Sequence, residues 1–343
     1  STQGVSSAAS DVYKRQLPVC IYNGWRNREV SILRAAKWLM RAIIALAVCA
    51  ILGITVTSAV LGYKAGREIK EEKKAGAKSS YEEKTVDIKD LFDNVSIQAA
   101  KDMAVDLQSS ADGKCHVHYY DSDEVIHSIY VEDNTLVITC EDDRTFGSDI
   151  GFGEDPYVTI EIPARQYDKI ELVSESGQIS ASQSIRCNTL DVTEKSGSMY
   201  LVNVTADTVQ LASESGDVSL ATINVRNLYY EGKSGNLSVV NVVADNIRFS
   251  VGDGKFEGYN LLANSTSAYK SKKGDILVEG CDSPTFVFDS VKGDIHATFL
   301  SPKQITIDSR SGDIDIPEIV EKYNGCCVVT TDSGDVTIKY VEG

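Results

Sequence analysis

The chain has 343 residues, 42% hydrophobic and 24% charged, with a formal net charge of −16. The charge is split: residues 1–79 hold 13 Lys and Arg against 5 Asp and Glu, whereas residues 80–343 carry a balance of −24. An acidic body excludes a nucleic-acid reader, which needs a positive footprint over phosphates, and eight cysteines without a Cys-x-x-Cys pair exclude the common zinc and dithiol motifs.

The chain opens on Ser, and Val5 to Gln16 is similar to a translated sequencing adapter, so residues 1–16 are set aside as an artefact. Residues 17–41 form a basic segment. Residues 42–62 then run without a charge, long enough at about 1.5 Å per residue to cross a bilayer core as a transmembrane helix. Trp38 and Tyr63 flank this span as interfacial aromatics. A cleavable signal peptide is the alternative, with Thr57-Ser58-Ala59 as its small-residue site. Lys and Arg are nearly balanced on the two sides, so charge alone does not orient the span. Residues 63–80 read as a charged stalk.

Residues 81–165 hold short alternating runs, Thr85–Ile88, Val117–Tyr120, Ser128–Val131, Leu136–Cys140 and Tyr157–Ile162, and are expected to cap the N-terminal end of the repeats that begin at residue 166. A Cys115–Cys140 disulfide is left open by the spacing. His116 and His118 share one strand face but lack a third ligand for a metal.

From residue 166 the sequence repeats. Glycines stand at 177, 197, 216, 235, 254, 274, 293, 312 and 334, with seven of the eight gaps being 19 or 20 residues. Apolar residues recur seven and five before each glycine (Leu190 and Val192, Phe286 and Phe288) and two and four after it (Met199 and Leu201, Ile276 and Val278). That alternation gives two half-buried strands per repeat. A further apolar position lies seven after the glycine, as at Val204 and Val242. The fold class predicted is all-β: a single-stranded parallel β-helix, or β-solenoid, of about nine 19–20-residue coils preceded by the transmembrane helix. Three before the glycine stand Ser174, Ser213, Ser271, Ser290, Ser309 and Thr331, an expected internal ladder of mutually bonded hydroxyls. Glu194, Gly232 and Val251 interrupt it. The acidic residues 340–343 are expected to blunt the far end.

Val86-Asp87-Ile88, Val95-Ser96-Ile97, Asn134 to Ile138, Val158 to Pro163, Tyr167 to Ile170 and the serial Ser-Gly-Asp turns together resemble a bacterial family labelled "putative adhesin". The resemblance covers about residues 81–343. It implies a cell-envelope β-solenoid on the outer side of the membrane and brings no catalytic residues.

No catalytic constellation is read from the coils. The outward column three after the glycine places no two carboxylates side by side, as carbohydrate-active β-helix enzymes require of their clefts. Asp275, Asp294 and Asp313 stack at the coil spacing and are the candidate calcium ligands. The competing reading is that each caps its own turn. Gly232-Lys233-Ser234 lacks the first glycine of a phosphate loop. The expected function is a membrane-anchored, non-enzymatic envelope solenoid for adhesion, scaffolding or stress sensing, attached through residues 42–62 and meeting a protein or glycan partner. The alternatives are a carbohydrate-active β-helix enzyme and a cytoplasm-facing regulator.

Overall fold

The computed structural model describes residues 82–99, 101–143, 157–318 and 320–341. The expected artefact, basic segment, membrane span and stalk lie outside the described residues, among which no helix is long and apolar enough to cross a membrane. Among the described residues the fold is all-β, a solenoid whose strands join into one sheet of 19.

Seven short strands come first: β1 (Glu82–Ile88), β2 (Asn94–Ala99), β3 (Ala104–Ser109), β4 (Cys115–Asp121), β5 (Val125–Glu132), β6 (Thr135–Asp142) and β7 (Tyr157–Ile162). Five long strands follow the coil around its corners: β8 (Gln166–Ala181), β9 (Ile185–Ser215), β10 (Val218–Ser234), β11 (Leu237–Asp253) and β12 (Phe256–Lys273). The last seven are β13 (Ile276–Cys281), β14 (Thr285–Lys292), β15 (Ile295–Phe299), β16 (Gln304–Ser309), β17 (Ile314–Asp315), β18 (Cys326–Ser333) and β19 (Val336–Tyr340). From β8 to β12 each coil pairs in parallel with the next at its own repeat position, as in Leu190 beside Ile170 and Leu228 beside Val209. The extra residue of the 20-residue coil ending at Gly274 is taken up as a register shift after Ala244.

The glycine corner follows from the stacking. Gly216 sits at φ +130°, and a Cβ there would lie 1.5 Å from the carbonyl oxygen of Gly197, so neither the backbone angle nor the neighbouring coil admits a side chain. A second corner lies six residues later and was not read from the sequence. Asn203, Thr222, Asn241 and Asn260 all have φ between 56° and 59°, and Gly280 completes the column at 63°. Asn, Asp and Gly tolerate this left-handed region; a β-branched Thr is out of place there.

The inward columns are buried in every coil but one. Seven before the glycine, Ile170, Leu190, Leu228 and Phe286 are fully enclosed; two after it, so are Ile179, Met199, Leu237 and Ile295. Each such side chain contributes roughly 1.5–3 kcal/mol on leaving water. The filling changes along the axis. Aliphatic side chains dominate the early coils, whereas Phe249, Phe256, Tyr269, Phe288, Phe286 and Phe299 form a chain of ring contacts with centroids 4.4–6.1 Å apart in the later ones. Gly258 and Ala297 make room for them in the position four after the glycine.

The hydroxyl column is buried, but its ladder is not as expected. Ser174 bonds the carbonyl of Ser176, and Ser271 that of Gly274 at 2.8 Å, each closing its own turn, whereas the hydroxyls of Ser213 and Thr331 have no partner. Coils stack at about 4.8 Å, so successive hydroxyls held in the same rotamer lie beyond the about 2.8 Å of a hydroxyl bond.

Both ends of the stack depart from chain order. At the N-terminal end, β2 and β3 form a layer that pairs on one side with β6 and β7 and on the other with β8. The chain thus makes this layer first, builds the outer one, then passes over it to start β8. At the other end, β14 and β15 pair with β18 and β19, which pair in turn with β16 and β17. The coil of Gly334 therefore lies inside the coil of Gly312. This corrects the expectation that the final residues blunt the end; the end is the Gly312 coil. The 22-residue gap supplies the extra chain for the return.

Fully buried Lys303 pins that return. Its ammonium bonds Asp282 at 2.6 Å and the carbonyl of Asn324 at 2.6 Å, while its backbone bonds the hydroxyl of Tyr340.

Candidate functional site

The turn carboxylates are held by backbone. Asp275 accepts the amide of Asp294, Asp294 that of Asp335, and Asp335 that of Asp313, at 2.8–2.9 Å. The order is that of the stack rather than of the chain. Asp217 accepts the amide of Asn236 in the same way. Asp275, Asp294 and Asp313 are thus brought into one column, with Asp335 between the last two. Among the described residues no group of three or more His, Cys, Asp and Glu is arranged to hold a metal.

The histidines lie in the N-terminal layers. His116 bonds Asp87 at 2.8 Å and Asp112 at 3.2 Å, and these hydrogen bonds raise its pKa. His118 instead bonds Thr85. His127 is buried and bonds Asp121 at 2.8 Å; burial lowers its pKa more than Asp121 raises it. No disulfide joins the described cysteines, Cys115 and Cys140 included, and burial pushes the Cys115 thiol up to about 12.

One polar cluster is interior. Glu194 occupies the hydroxyl column, is 1% exposed, and neither carboxyl oxygen has a hydrogen-bond partner. The hydroxyls of Ser213 and Tyr230 in the next two coils are likewise without partners. Desolvation raises the Glu194 pKa to about 7.

One hollow lies on the outer face of the strand preceding the glycine. It measures about 570 Å³ and is lined by Asp191, Gln210, Tyr229, Arg248 and their neighbours Thr193 and Glu231. The lining repeats once per coil because outward residues alternate with the buried columns and stack at the coil spacing. Among the described residues, none of these side chains has an ion pair or side-chain hydrogen bond except Asp191, 3.9 Å from Lys169. The adjoining turn column is different: Lys195–Glu175, Lys233–Glu214 and Lys273–Asp253 pair from coil to coil at 2.6–2.9 Å. Lys233 of the Gly-Lys-Ser tripeptide is thus engaged. Sequence reading followed the outward column three after the glycine and missed this one, six before it. The signal was present in the run Glu171, Asp191, Gln210, Tyr229, Arg248.

A smaller hollow of about 400 Å³ lies on the same strand face nearer the N-terminal end, between Ser96, Asp133, Lys169 and Glu171.

Comparison with known proteins bears on this architecture. The family model described as Toastrack DUF4097 matches residues 92–253 and again 222–343. Comparison with curated proteins finds no match. Among solved structures, a "putative lipid binding protein" from Parabacteroides distasonis is 17% identical, with 77% of this chain and 97% of that one covered, at TM-score 0.43. A "putative adhesin" from Bacteroides fragilis is 16% identical over 76% and 97% at TM-score 0.38. A "putative cell adhesion protein" from Clostridium sporogenes is 10% identical over 76% and 99% at TM-score 0.33. The two matches together cover residues 92–343, overlapping within the regular coils, and the chain belongs to the Toastrack DUF4097 family.

Proposed function

We propose that this protein is a membrane-anchored solenoid of the bacterial cell envelope, without a catalytic role, that presents its outer face to a protein or glycan for adhesion, scaffolding or stress sensing. Anchoring is assigned to residues 42–62, and the solenoid to the outer side. The observation that carries the reading is the hollow at Tyr229. There an aromatic ring and several polar groups without intramolecular partners face outward on a rigid, repetitive support, beside a column whose charges are already paired. Polar groups left uncommitted on a stiff face lose little on binding and need no rearrangement.

A hydrolytic reading needs two carboxyl groups converging on one bond. Asp191 and Glu231 stand two coils apart, on the order of 10 Å along the axis, and the adjacent pair Glu171 and Asp191 is engaged by Lys169 at 2.7 and 3.9 Å. The Asp275, Asp294 and Asp313 column is read as a set of turn caps rather than a calcium site, so the melting temperature is expected to stay unchanged with chelator; a fall would give the column to calcium.

The test has two arms. Protease added to intact cells should cut or shave the solenoid; complete protection with the envelope intact overturns the outward placement. Tyr229→Ala combined with Arg248→Ala should abolish partner capture while leaving the unfolding midpoint in place. Capture that survives both changes removes the hollow from the function.

A further inference from the structure

The inward columns fail in one coil only. At Gly312, Ile314 and Ile316 are 50% and 44% exposed, and Ile305 and Ile307 are partly buried. These four occupy the positions that hold enclosed side chains in every other coil. Among the described residues their coil is outermost, with β16 and β17 pairing only inward, to β18 and β19. The amides of Gln304 and Arg310 point inward to Gly325 and Thr331. By alternation, the N–H and C=O groups of Ile305, Ile307 and Ser309 face outward along an open edge. The turn ladder is open there too, since Asp313 donates its amide to Asp335 but its carboxylate accepts nothing among the described residues.

We propose that this end is a self-association surface, where two copies of the chain meet tail to tail. The missing layer must match the solenoid's own cross-section and offer apolar residues in phase with Ile305, Ile307, Ile314 and Ile316. A second copy's Gly312 coil has that composition and phase. The opposite end of the molecule offers no such layer: antiparallel β5 covers β6, antiparallel β4 covers β7, and β1 covers β4 in turn, so its outermost strands run out of phase with the coils and are mostly exposed. The contact is therefore isologous and closes at two copies rather than growing into a fibre. A twofold axis at Ile307 sets β16 antiparallel to its counterpart, with Ile305 opposite Ser309. All three outward backbone groups of each strand are then paired, and Asp308 stands opposite Thr306 rather than its own copy.

Charge works against the contact. Asp308, Asp313 and Asp315 rim the edge, and Arg310 between them is 3.1 Å from Asp332 of its own chain. Two such rims repel at low ionic strength and are screened as salt is added. The pairing therefore strengthens with salt, opposite to an ion-paired interface.

The test is sedimentation of the full chain in detergent at ionic strengths of about 0.01 and 0.15 M. Monomer and dimer should exchange, with the dimer favoured at the higher salt. Ile314→Lys with Ile316→Lys should remain monomeric at tenfold higher concentration with an unchanged unfolding midpoint, since both side chains are already half in water. Asp308→Asn with Asp315→Asn should raise the dimer fraction at low salt, a gain that misfolding does not produce. A chain monomeric under both conditions, a dimer indifferent to both variants, or open-ended assemblies would each overturn the proposal.

Discussion

The two ends of this solenoid are built by the same manoeuvre and finished differently. At each, the chain lays down one layer out of sequence, so that β2 with β3 and β18 with β19 are held between two others. At the N-terminal end antiparallel strands then cover the stack, and Val125, Leu136 and Val158 are buried. At the C-terminal end nothing among the described residues covers Ile314. A repeat can thus specify a core residue by its position without burying it; burial needs the next layer as well.

The largest effects should separate the inner layers from the open one. Phe286→Ala, in a fully buried ring cluster, should cost about 3–5 kcal/mol in urea unfolding. Ile314→Ala is expected to cost under about 0.5 kcal/mol in the isolated monomer. Equal costs would mean that the Gly312 coil is covered. Lys303→Met should be nearly as damaging, at about 3 kcal/mol, because it leaves Asp282 and the carbonyl of Asn324 without their buried partner. Its damage should concentrate in β16–β19, seen as faster amide exchange there than in β2–β8.

The N-terminal end should carry the acid sensitivity. His127 keeps a pKa below its ordinary value because burial disfavours the imidazolium. The unfolded chain therefore binds the extra proton first, and stability present above about pH 6.5 is lost as pH falls through the folded value. Asp121 is drawn upward by burial, but its bonds to His127 and Lys84 outweigh this and hold it low, so its loss comes at still lower pH. His116 works in the opposite sense, its raised pKa favouring the fold at lower pH, but it does so from the solvent side. Amide exchange at pH 5.5 against pH 7.5 should show β5 and β6 loosening while β18 and β19 do not; the reverse would reject the assignment. Between the ends, Glu194 ionises near pH 7 rather than 4.5, so the fold loses stability as pH rises between those values. Glu194→Gln should flatten that slope, and a melting temperature that still falls across the window would show that Glu194 is not its source.

The smallest expected effect is at Thr222. Replacing it by Asn, as the same corner has in its neighbours, should stabilise by roughly 0.5–1 kcal/mol in urea unfolding by removing a strained left-handed Thr.

The regular coils were legible because two constraints repeat: a glycine where the neighbouring backbone leaves no space for Cβ, and apolar residues at alternate positions. The second corner was less so, since Asn203 and Asn241 look like ordinary loop polars until their φ is known. Layer order was not legible at all. Ile305 and Cys327 carry the same apolar signal, and only strand pairing reveals that the later one lies inside. The hollow at Tyr229 was missed for a related reason: its column, Glu171, Asp191, Gln210, Tyr229 and Arg248, keeps the coil spacing but no common residue type, so nothing marks it as the apolar columns are marked.

The interleaved ends also bear on how the molecule would meet tension. A simple solenoid pulled from its last coil peels one ladder at a time, each row of hydrogen bonds failing in turn. Here β19 is flanked by β15 and β17, and β2 by β6 and β8. A pull on the C-terminal flank of the described chain must slide β19 out from between two neighbours, loading both rows together, whereas a pull on the N-terminal flank first strips β1 from β4 and only then meets β2. Resistance to extraction is thereby placed at the last strand of the C-terminal flank and one strand in from the N-terminal one.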